Sequence, residues 1–295
     1  MLEILRELCT LDAVSGDEAA VRDYIINKIK NHCEYKIDPL GSIIAFKKGK
    51  KTPAKKVMLD AHMDEVGLII TYITDDGFLK FSAVGGIDTS VLMFRRVKVN
   101  GINGVISGKP IHLISADERK KLPDPHSLYI DIGASSKEEA LKLVSPGDRA
   151  VICGEYTDAG DRIKSKALDD RIGCAVLISM LLKEAEYDFY AVFSVQEEVG
   201  LRGAKAAAYT VAPDAAIVLE GTTAADIAGV EPSRRVCVLG GGPAVSFMDR
   251  ATVYDKAYYN AALKSGITCQ PKAAVAGGNN SGAVHTSRGG VRTLA

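Results

Sequence analysis

Residues 189–200 read FYAVFSVQEEVG, and the rest of the chain is organised around this segment. Residues 189–193 are apolar, aromatic and β-branched, which predicts a short buried strand. Two adjacent carboxylates, Glu197 and Glu198, follow that strand, and adjacent side chains point in different directions. One of them can hold a metal while the other takes a proton from water, as metal-assisted hydrolysis requires. A solvated glutamate pair at a strand end is the plainer interpretation of this segment alone.

Two further apolar runs are followed by residues that could bind a metal. Residues 57–61 read VMLDA and lead to His62, with Asp64 two positions later. Residues 215–219 read AAIVL and lead to Glu220. Sites in open α/β sheets form outside the carboxyl ends of the strands, so we interpret His62 as a metal ligand and Asp64 as the acceptor of its other ring N–H. Each residue alone could be an ordinary surface group, but three such strand ends together predict a metal centre.

Polar residues mark the starts of two predicted helices. Asp169 lies in a turn before an apolar helix expected over 172–182. A carboxylate at a helix start can cap the helix, but the nearby strand ends make Asp169 a candidate ligand as well. Ser15 and Glu18 have the spacing of a capping box, which predicts that a helix begins at this point.

The sequence pattern changes between Gly67 and about Arg162. Helical periods give way to alternation and to glycine turns, including the hairpin signal at Asp75-Asp76-Gly77. The sequence therefore predicts an α/β catalytic domain formed by residues 1–67 and 163–295, interrupted by a β-rich domain over 68–162.

Composition narrows the classes of function. The 295 residues include 37 basic and 37 acidic side chains, so there is no basic field for nucleic acid. Six scattered cysteines without a CxxC pair, and no signal peptide, predict reduced thiols in a cytoplasmic protein. No apolar run approaches the length of a membrane span, so no membrane partner is expected.

Four segments, in order along the chain, carry a specific resemblance. They are residues 60–67 (DAHMDEVG), 167–174 (ALDDRIGC), 196–204 (QEEVGLRGA) and 220–223 (EGTT). They resemble the M42 family of metallo-aminopeptidases, which includes glutamyl, leucyl and deblocking aminopeptidases and proteins labelled endoglucanase. Residues 277–293 are similar to a late glycine-rich turn and strand of that family.

The resemblance implies a fold and an assembly. The expected fold is a three-layer α/β catalytic domain with a mixed central sheet, and an inserted small domain that resembles a β-barrel. In the family that smaller domain helps to form large homo-oligomers, often tetrahedral dodecamers. A homo-oligomer is therefore the expected state of this chain.

The resemblance also implies a site with two divalent metal ions, usually zinc or cobalt. His62 and Glu220 would hold one ion, Glu198 the other, and Asp169 would bridge them. Glu197 would be the general base. Asp64 would orient His62.

The chain departs from the family pattern near its carboxyl end. Family members continue past the equivalent of Thr293, and that later part carries a histidine that binds the second metal. The carboxyl-terminal part of the family domain is thus expected to be missing and the second metal to bind weakly. Asn279-Asn280 stands where Thr-Asp is usual. His285 is the one late histidine and a candidate substitute, although its position corresponds to a strand residue that the family does not use as a ligand.

These observations predict a metal-dependent aminopeptidase that removes the first residue from peptide substrates. One alternative is a glycoside hydrolase of the endoglucanase type, since paired carboxylates also split glycosides. The 6% aromatic content and absence of Trp leave few platforms for sugars, which weakens this alternative. Another is an inactive, metal-poor scaffold that assembles or binds peptides.

Overall fold

The computed structural model describes residues 1–117, 120, 124–275 and 277–295. The chain divides into two compact units. The sheet unit comprises residues 1–8, 19–63 and 168–295, and the barrel unit comprises residues 9–18 and 64–167. The chain thus leaves the sheet unit directly after Met63, between the second and third residues of the HMDE motif at 62–65.

The helices and strands are numbered in chain order. The helices are α1 (Leu2–Thr10), α2 (Ala19–Ile29), α3 (Lys137–Leu141), α4 (Leu168–Leu181), α5 (Arg202–Val211), α6 (Lys256–Leu263) and α7 (Ser281–Val284). The first eight strands are β1 (Glu34–Ile37), β2 (Ile43–Lys47), β3 (Val57–His62), β4 (Gly67–Ile73), β5 (Leu79–Val84), β6 (Arg96–Val99), β7 (Ile102–Ser107) and β8 (Tyr129–Asp131). The others are β9 (Arg149–Ile152), β10 (Thr157–Asp158), β11 (Ile163–Lys164), β12 (Phe189–Ser194), β13 (Ala215–Val218), β14 (Ala244–Val245), β15 (Gln270–Pro271) and β16 (Arg292–Leu294).

The sheet unit is built on six strands in the order β1-β2-β12-β3-β13-β16. β1, β2 and β12 pair in antiparallel fashion, whereas β12, β3, β13 and β16 run parallel to one another. The predicted mixed central sheet is therefore confirmed. The apolar runs of β3 and β12 are buried because both strands are central in the sheet.

Helices cover both faces of this sheet, which gives the predicted three layers. α5 and α7 pack with alternate residues of the strands, including Met58 and Val192, in one apolar cluster. On the other face α4 lies against β3 and α2 lies against α4. α5 approaches the end of β12 closely, since a Cβ at Gly203 would lie 2.4 Å from the main-chain oxygen of Val195. Glycine at this position is what lets α5 begin directly behind the glutamate pair.

The barrel unit contains a closed antiparallel barrel of strands in the order β4-β5-β8-β7-β6-β9. Its interior is filled by buried aliphatic side chains such as Leu68, Ile106 and Ile130. The predicted class of an α/β domain with an inserted barrel-like domain is thus confirmed. The boundaries at 68 and 162 stay a prediction.

The capping-box prediction is wrong. α2 begins at Ala19, after both residues of the predicted box. The Ser15 hydroxyl instead donates to Asp64 Oδ2 at 2.6 Å, and Glu18 Oε1 accepts from the Gly16 N–H at 2.7 Å. The hydrogen bond of the Ser15 hydroxyl to a carboxylate is charge-assisted, which makes it stronger than the neutral bond that a helix cap would form.

In the part of the chain that the structure describes, no helix has both the length and the apolar character needed to cross a membrane.

Candidate metal centre

Three parallel strands of the sheet unit end at the same edge. Ser194 at the end of β12 pairs with His62 at the end of β3, and Val218 at the end of β13 pairs with Asp60. The residues that follow these strands therefore converge, as expected for the carboxyl edge of an open parallel sheet. The candidate metal ligands of the sheet unit lie at this edge.

The first candidate group consists of His62, Asp169 and Glu220, whose ligand atoms all lie within 4.8 Å of one another. His62 Nε2 is 3.4 Å from Asp169 Oδ1 and 3.7 Å from Glu220 Oε1. Gly221 makes this approach sterically possible, because a Cβ there would lie 2.8 Å from Asp169 Cγ. The Gly221 N–H also donates to Asp169 Oδ1 at 3.2 Å, which fixes that carboxylate.

The second candidate group consists of His62, Glu197 and Glu198, again with ligand atoms within 4.8 Å. Glu197 is buried and Glu198 is half-buried. Gln196 has φ = 56°, a left-handed conformation that is uncommon for a residue other than glycine. This conformation lies directly before the glutamate pair, at the start of the turn that presents it.

The two groups share His62. In the resemblance, by contrast, Asp169 is the residue that joins the two metals. Of the described residues, Asp169 falls in a candidate group with His62 and Glu220 and not with Glu198. The assignment of Asp169 as a bridge, and of Glu197 as base rather than ligand, therefore stays a prediction.

The electrostatics of Glu220 fit a cation. Burial raises the pKa of its carboxyl above the usual range, the nearby His62 lowers it and Asp169 raises it further. Within the described residues, the buried Glu220 Oε2 accepts no hydrogen bond. A buried carboxylate oxygen with no donor is costly unless something positive binds there. Imidazole and carboxylate ligands without thiolate suit zinc, cobalt or manganese, so these residues fit the implied metal.

Beneath the candidate ligands lies a buried polar cluster that the sequence did not predict. Asn280 Nδ2 donates to Asp60 Oδ2 at 2.6 Å and to Ser194 Oγ at 2.8 Å. Burial raises the pKa of Asp60 to about 7, although hydrogen bonds from Asn280 and Ser194 lower it. The sequence signal for this cluster is the departure at Asn279-Asn280, whereas its partner Asp60 lies within an apolar run that gives no sign of the contact.

The structure also gives the contacts of Asp64 and His285, two other candidate site residues from the sequence. Asp64 belongs to the barrel unit, where it is fully buried and accepts the Ser15 hydroxyl proton. Its role in orienting His62 stays a prediction. His285 ends α7, with Nδ1 2.9 Å from the Ser281 carbonyl oxygen, so its expected strand position is wrong. Neither candidate ligand group contains His285.

The chain is similar to known proteins over most of its length. The sequence profile described as M42 glutamyl aminopeptidase matches residues 41–295. A protein from Acetivibrio thermocellus, whose aminopeptidase name is provisional, is 42% identical over 99% of this chain and 88% of its own length.

Two solved structures are similar over almost the whole chain. The aminopeptidase APDkam598 from Desulfurococcus kamchatkensis has a TM-score of 0.92 and 36% identity, covering 99% of this chain and 84% of that chain. The TET1 peptidase of Pyrococcus horikoshii, which can assemble into a tetrahedron or a large octahedral shell, has a TM-score of 0.85 and 33% identity, covering 99% and 89%. With a profile match over most of its length, this chain belongs to the M42 glutamyl aminopeptidase family and is a peptide hydrolase.

Proposed function

We propose that this protein is a metal-dependent aminopeptidase that uses two divalent ions, zinc or cobalt, at the carboxyl edge of its sheet. The observation that carries the proposal is the convergence of His62, Asp169 and Glu220 within 4.8 Å, with Glu198 in the adjoining group. Three protein ligands around one ion is the usual count for a catalytic zinc site. Family membership supports the reaction class.

The metals would polarise the scissile carbonyl and lower the pKa of water. Glu197 is the general base: its carboxylate accepts the proton of the attacking water and then donates it to the leaving amine. Glu197 suits this role because it is buried beside Glu198, so water has limited access and the carboxylate is held close to the ligands. Asp64, two residues after His62, orients the imidazole as the acceptor of its other ring N–H.

The substrate is a peptide with a free amino terminus. Family membership favours this substrate over a glucan, and the candidate groups contain the imidazole ligand that a two-carboxylate glycosidase does not need. The inactive-scaffold alternative predicts a protein that binds no metal, which the experiment below distinguishes.

We further propose a homo-oligomer in a reducing, cytoplasmic compartment. The relative from Pyrococcus horikoshii forms large closed assemblies, which supports the oligomer. None of the six cysteines forms a disulfide, which is consistent with a reducing compartment.

The test is hydrolysis of a short unblocked peptide by chelator-treated protein, before and after addition of zinc or cobalt. We expect the amino-terminal residue to be released only after metal is added, and an N-acetylated copy of the peptide to stay intact. Release of reducing sugar from a soluble glucan, or peptide cleavage that persists with chelator, would contradict the proposal. Protein that binds no metal and cleaves nothing would support the scaffold.

A further inference from the structure

On the β13 side of the sheet, the main-chain N–H and C=O of His62 have no strand among the described residues with which to pair. β3 pairs with β12 as far as His62, but its pairing with β13 stops at Asp60. At that point the Leu219 N–H donates to the main-chain oxygen of Asp60 at 2.8 Å. The N–H and C=O of alternate residues point to the same side of a strand, so those of His62 point beyond the end of β13. Buried main-chain groups require partners, and here the sheet does not provide them.

The start of α4 provides both partners. Asp170 Oδ2 accepts the His62 N–H at 3.2 Å, and the Cys174 thiol donates to the His62 carbonyl oxygen at 3.2 Å. Both side chains are fully buried. Asp170 Oδ1 also accepts the Gly173 N–H at 3.0 Å, which holds the carboxylate against the helix.

The main-chain oxygen of Met63, the residue directly after β3, is held from the same turn. Arg171 Nε donates to the Met63 oxygen at 2.9 Å, and its Nη1 donates to the Leu8 oxygen at 2.6 Å. Gly173 is required for this arrangement, because a Cβ there would lie 2.5 Å from Asp170 Oδ2. Asp170, Arg171 and Cys174 together form what we call the His62 clamp.

The clamp is continuous with a candidate ligand, since Asp169 directly precedes Asp170. One turn of chain therefore carries a carboxylate of the first ligand group and fixes the main chain from which the imidazole of that group projects. Fixing the N–H and the C=O of His62 sets the direction of its Cα–Cβ bond. That direction determines where Nε2 lies relative to Asp169 and Glu220.

We propose that Asp170 and Cys174 are positioning residues that hold the main chain of His62 so that its imidazole meets the other ligands of the first metal. This inference rests on the proposed function, in which His62 binds that metal. A purely structural role would stabilise the start of α4 without changing the metal affinity of the folded protein. Metal affinity and thermal stability, measured separately, therefore distinguish the two roles.

Cys174 is the better residue to vary, because replacing Asp170 would also remove a charge near the metal. Cys174→Ala deletes the donor, Cys174→Val fills the space without a donor, and Cys174→Ser supplies another donor to the same carbonyl. The matched control is Cys33→Ala, which removes a half-buried thiol that donates to the Ile29 oxygen of α2 at 3.6 Å. Cys33 plays no part in the clamp.

The experiment measures the zinc Kd of the chelator-treated full chain by competition with a chromophoric chelator, and the Tm of the same metal-free protein. We expect Cys174→Ala and Cys174→Val to weaken zinc binding about 10- to 100-fold, the usual cost of losing an outer partner of a metal ligand. Cys174→Ser should restore most of the affinity, and Cys33→Ala should leave it unchanged.

Cys174 variants that lower the Tm but bind zinc as tightly as wild type would overturn the clamp and leave the proposed function standing. If Cys174→Ala does not fold, Cys174→Val decides the question by the same comparison. Wild-type protein that binds neither zinc nor cobalt would overturn the proposed function, and the clamp with it.

Discussion

Two mostly buried carboxylates at opposite edges of the sheet, Asp188 before β12 and Glu220 after β13, have opposite surroundings. Asp188, just before the strand, accepts hydrogen bonds from Lys48 Nζ at 2.8 Å, the Gly49 N–H at 2.7 Å and Thr52 Oγ1 at 2.8 Å. These bonds, the one from Lys48 first, lower its pKa to about 2. At the other edge of the sheet, burial raises the pKa of Glu220, and its Oε2 accepts no hydrogen bond from the described residues.

Burial alone does not separate these carboxylates, because the Asp188 side chain is 9% exposed and the Glu220 side chain is 15% exposed. The difference lies in their partners. Where the protein supplies donors, the carboxylate ties chain segments together and its charge is stabilised. Where the protein leaves a buried oxygen such as Glu220 Oε2 without a donor, that oxygen costs stability, and a ligand that the chain does not contain is the natural reason to retain it.

The largest effect is expected from replacing Glu197, at the carboxyl edge of the parallel strands. Glu197→Gln should lower peptidase activity about a hundred- to ten-thousand-fold, because an amide cannot accept the proton from water. Metal content should stay near that of wild type, since we assign Glu197 to the water and not to the metal. Steady-state kinetics and elemental analysis of the same preparation measure both.

The matched control lies at the opposite end of β12. Glu186 is exposed, and its side chain pairs with Lys51 Nζ at 2.7 Å. Glu186→Gln should leave turnover unchanged. Full activity in Glu197→Gln would remove that residue from the mechanism.

The next largest effect concerns Glu220. Glu220→Gln should weaken the tighter zinc site by more than the roughly 10- to 100-fold that loss of an outer partner costs, because a direct ligand is lost. The metal-free variant should be at least as stable as metal-free wild type, because the buried carboxylate has no donor to lose at Oε2. Zinc competition and thermal melts in chelator test this pair of results, and a large fall in metal-free Tm would refute the contrast with Asp188.

A smaller effect of the opposite kind is expected from Asp188→Asn. The Tm should fall while zinc affinity stays the same. The folded pKa of about 2 lies below the ordinary value of about 3.9, so the contribution of Asp188 is fully present above about pH 4 and is lost as the pH falls toward 2. The Tm difference between wild type and variant should therefore shrink between about pH 4 and pH 2, and a difference that grows in acid would contradict the assignment.

The smallest effect is a difference between the two metal positions. His62, Asp169 and Glu220 give the first position an imidazole and two carboxylates, whereas a second ion at Glu198 relies on carboxylates once His62 is occupied. Calorimetric titration of chelator-treated protein with zinc should therefore show two binding steps of unequal affinity. Two equally tight steps would indicate another ligand, and His285→Ala would then be the variant to make.

The candidate ligands could be predicted from sequence because each follows an apolar strand or precedes an apolar helix. His62, Glu198 and Glu220 are visible in this way, and parallel pairing explains why they meet. The clamp could not be predicted, because Asp170 and Cys174 contact His62 across more than a hundred residues of chain. Those contacts depend on where β13 stops pairing with β3, which no local pattern reveals.

Contacts between residues that are distant in sequence also explain the wrong prediction at Ser15 and the unpredicted contacts of Asn280. Ser15 has the spacing of a helix cap, but its hydroxyl is taken by Asp64, 49 residues away. Asn280 departs from the family pattern in sequence, but only its hydrogen bonds to Asp60 and Ser194 define what it does in the fold. Local patterns predict which residue types lie at the carboxyl edge of the sheet. The contacts that hold those residues depend on the pairing of strands that are distant in sequence.

The most direct test of the central claim is anomalous diffraction at the zinc edge from crystals grown with zinc. The account predicts a strong peak at about 2.0–2.2 Å from His62, Asp169 and Glu220, with a second peak beside Glu198. Zinc bound elsewhere on the chain, or no peak at the edge where β3, β12 and β13 end, would contradict it.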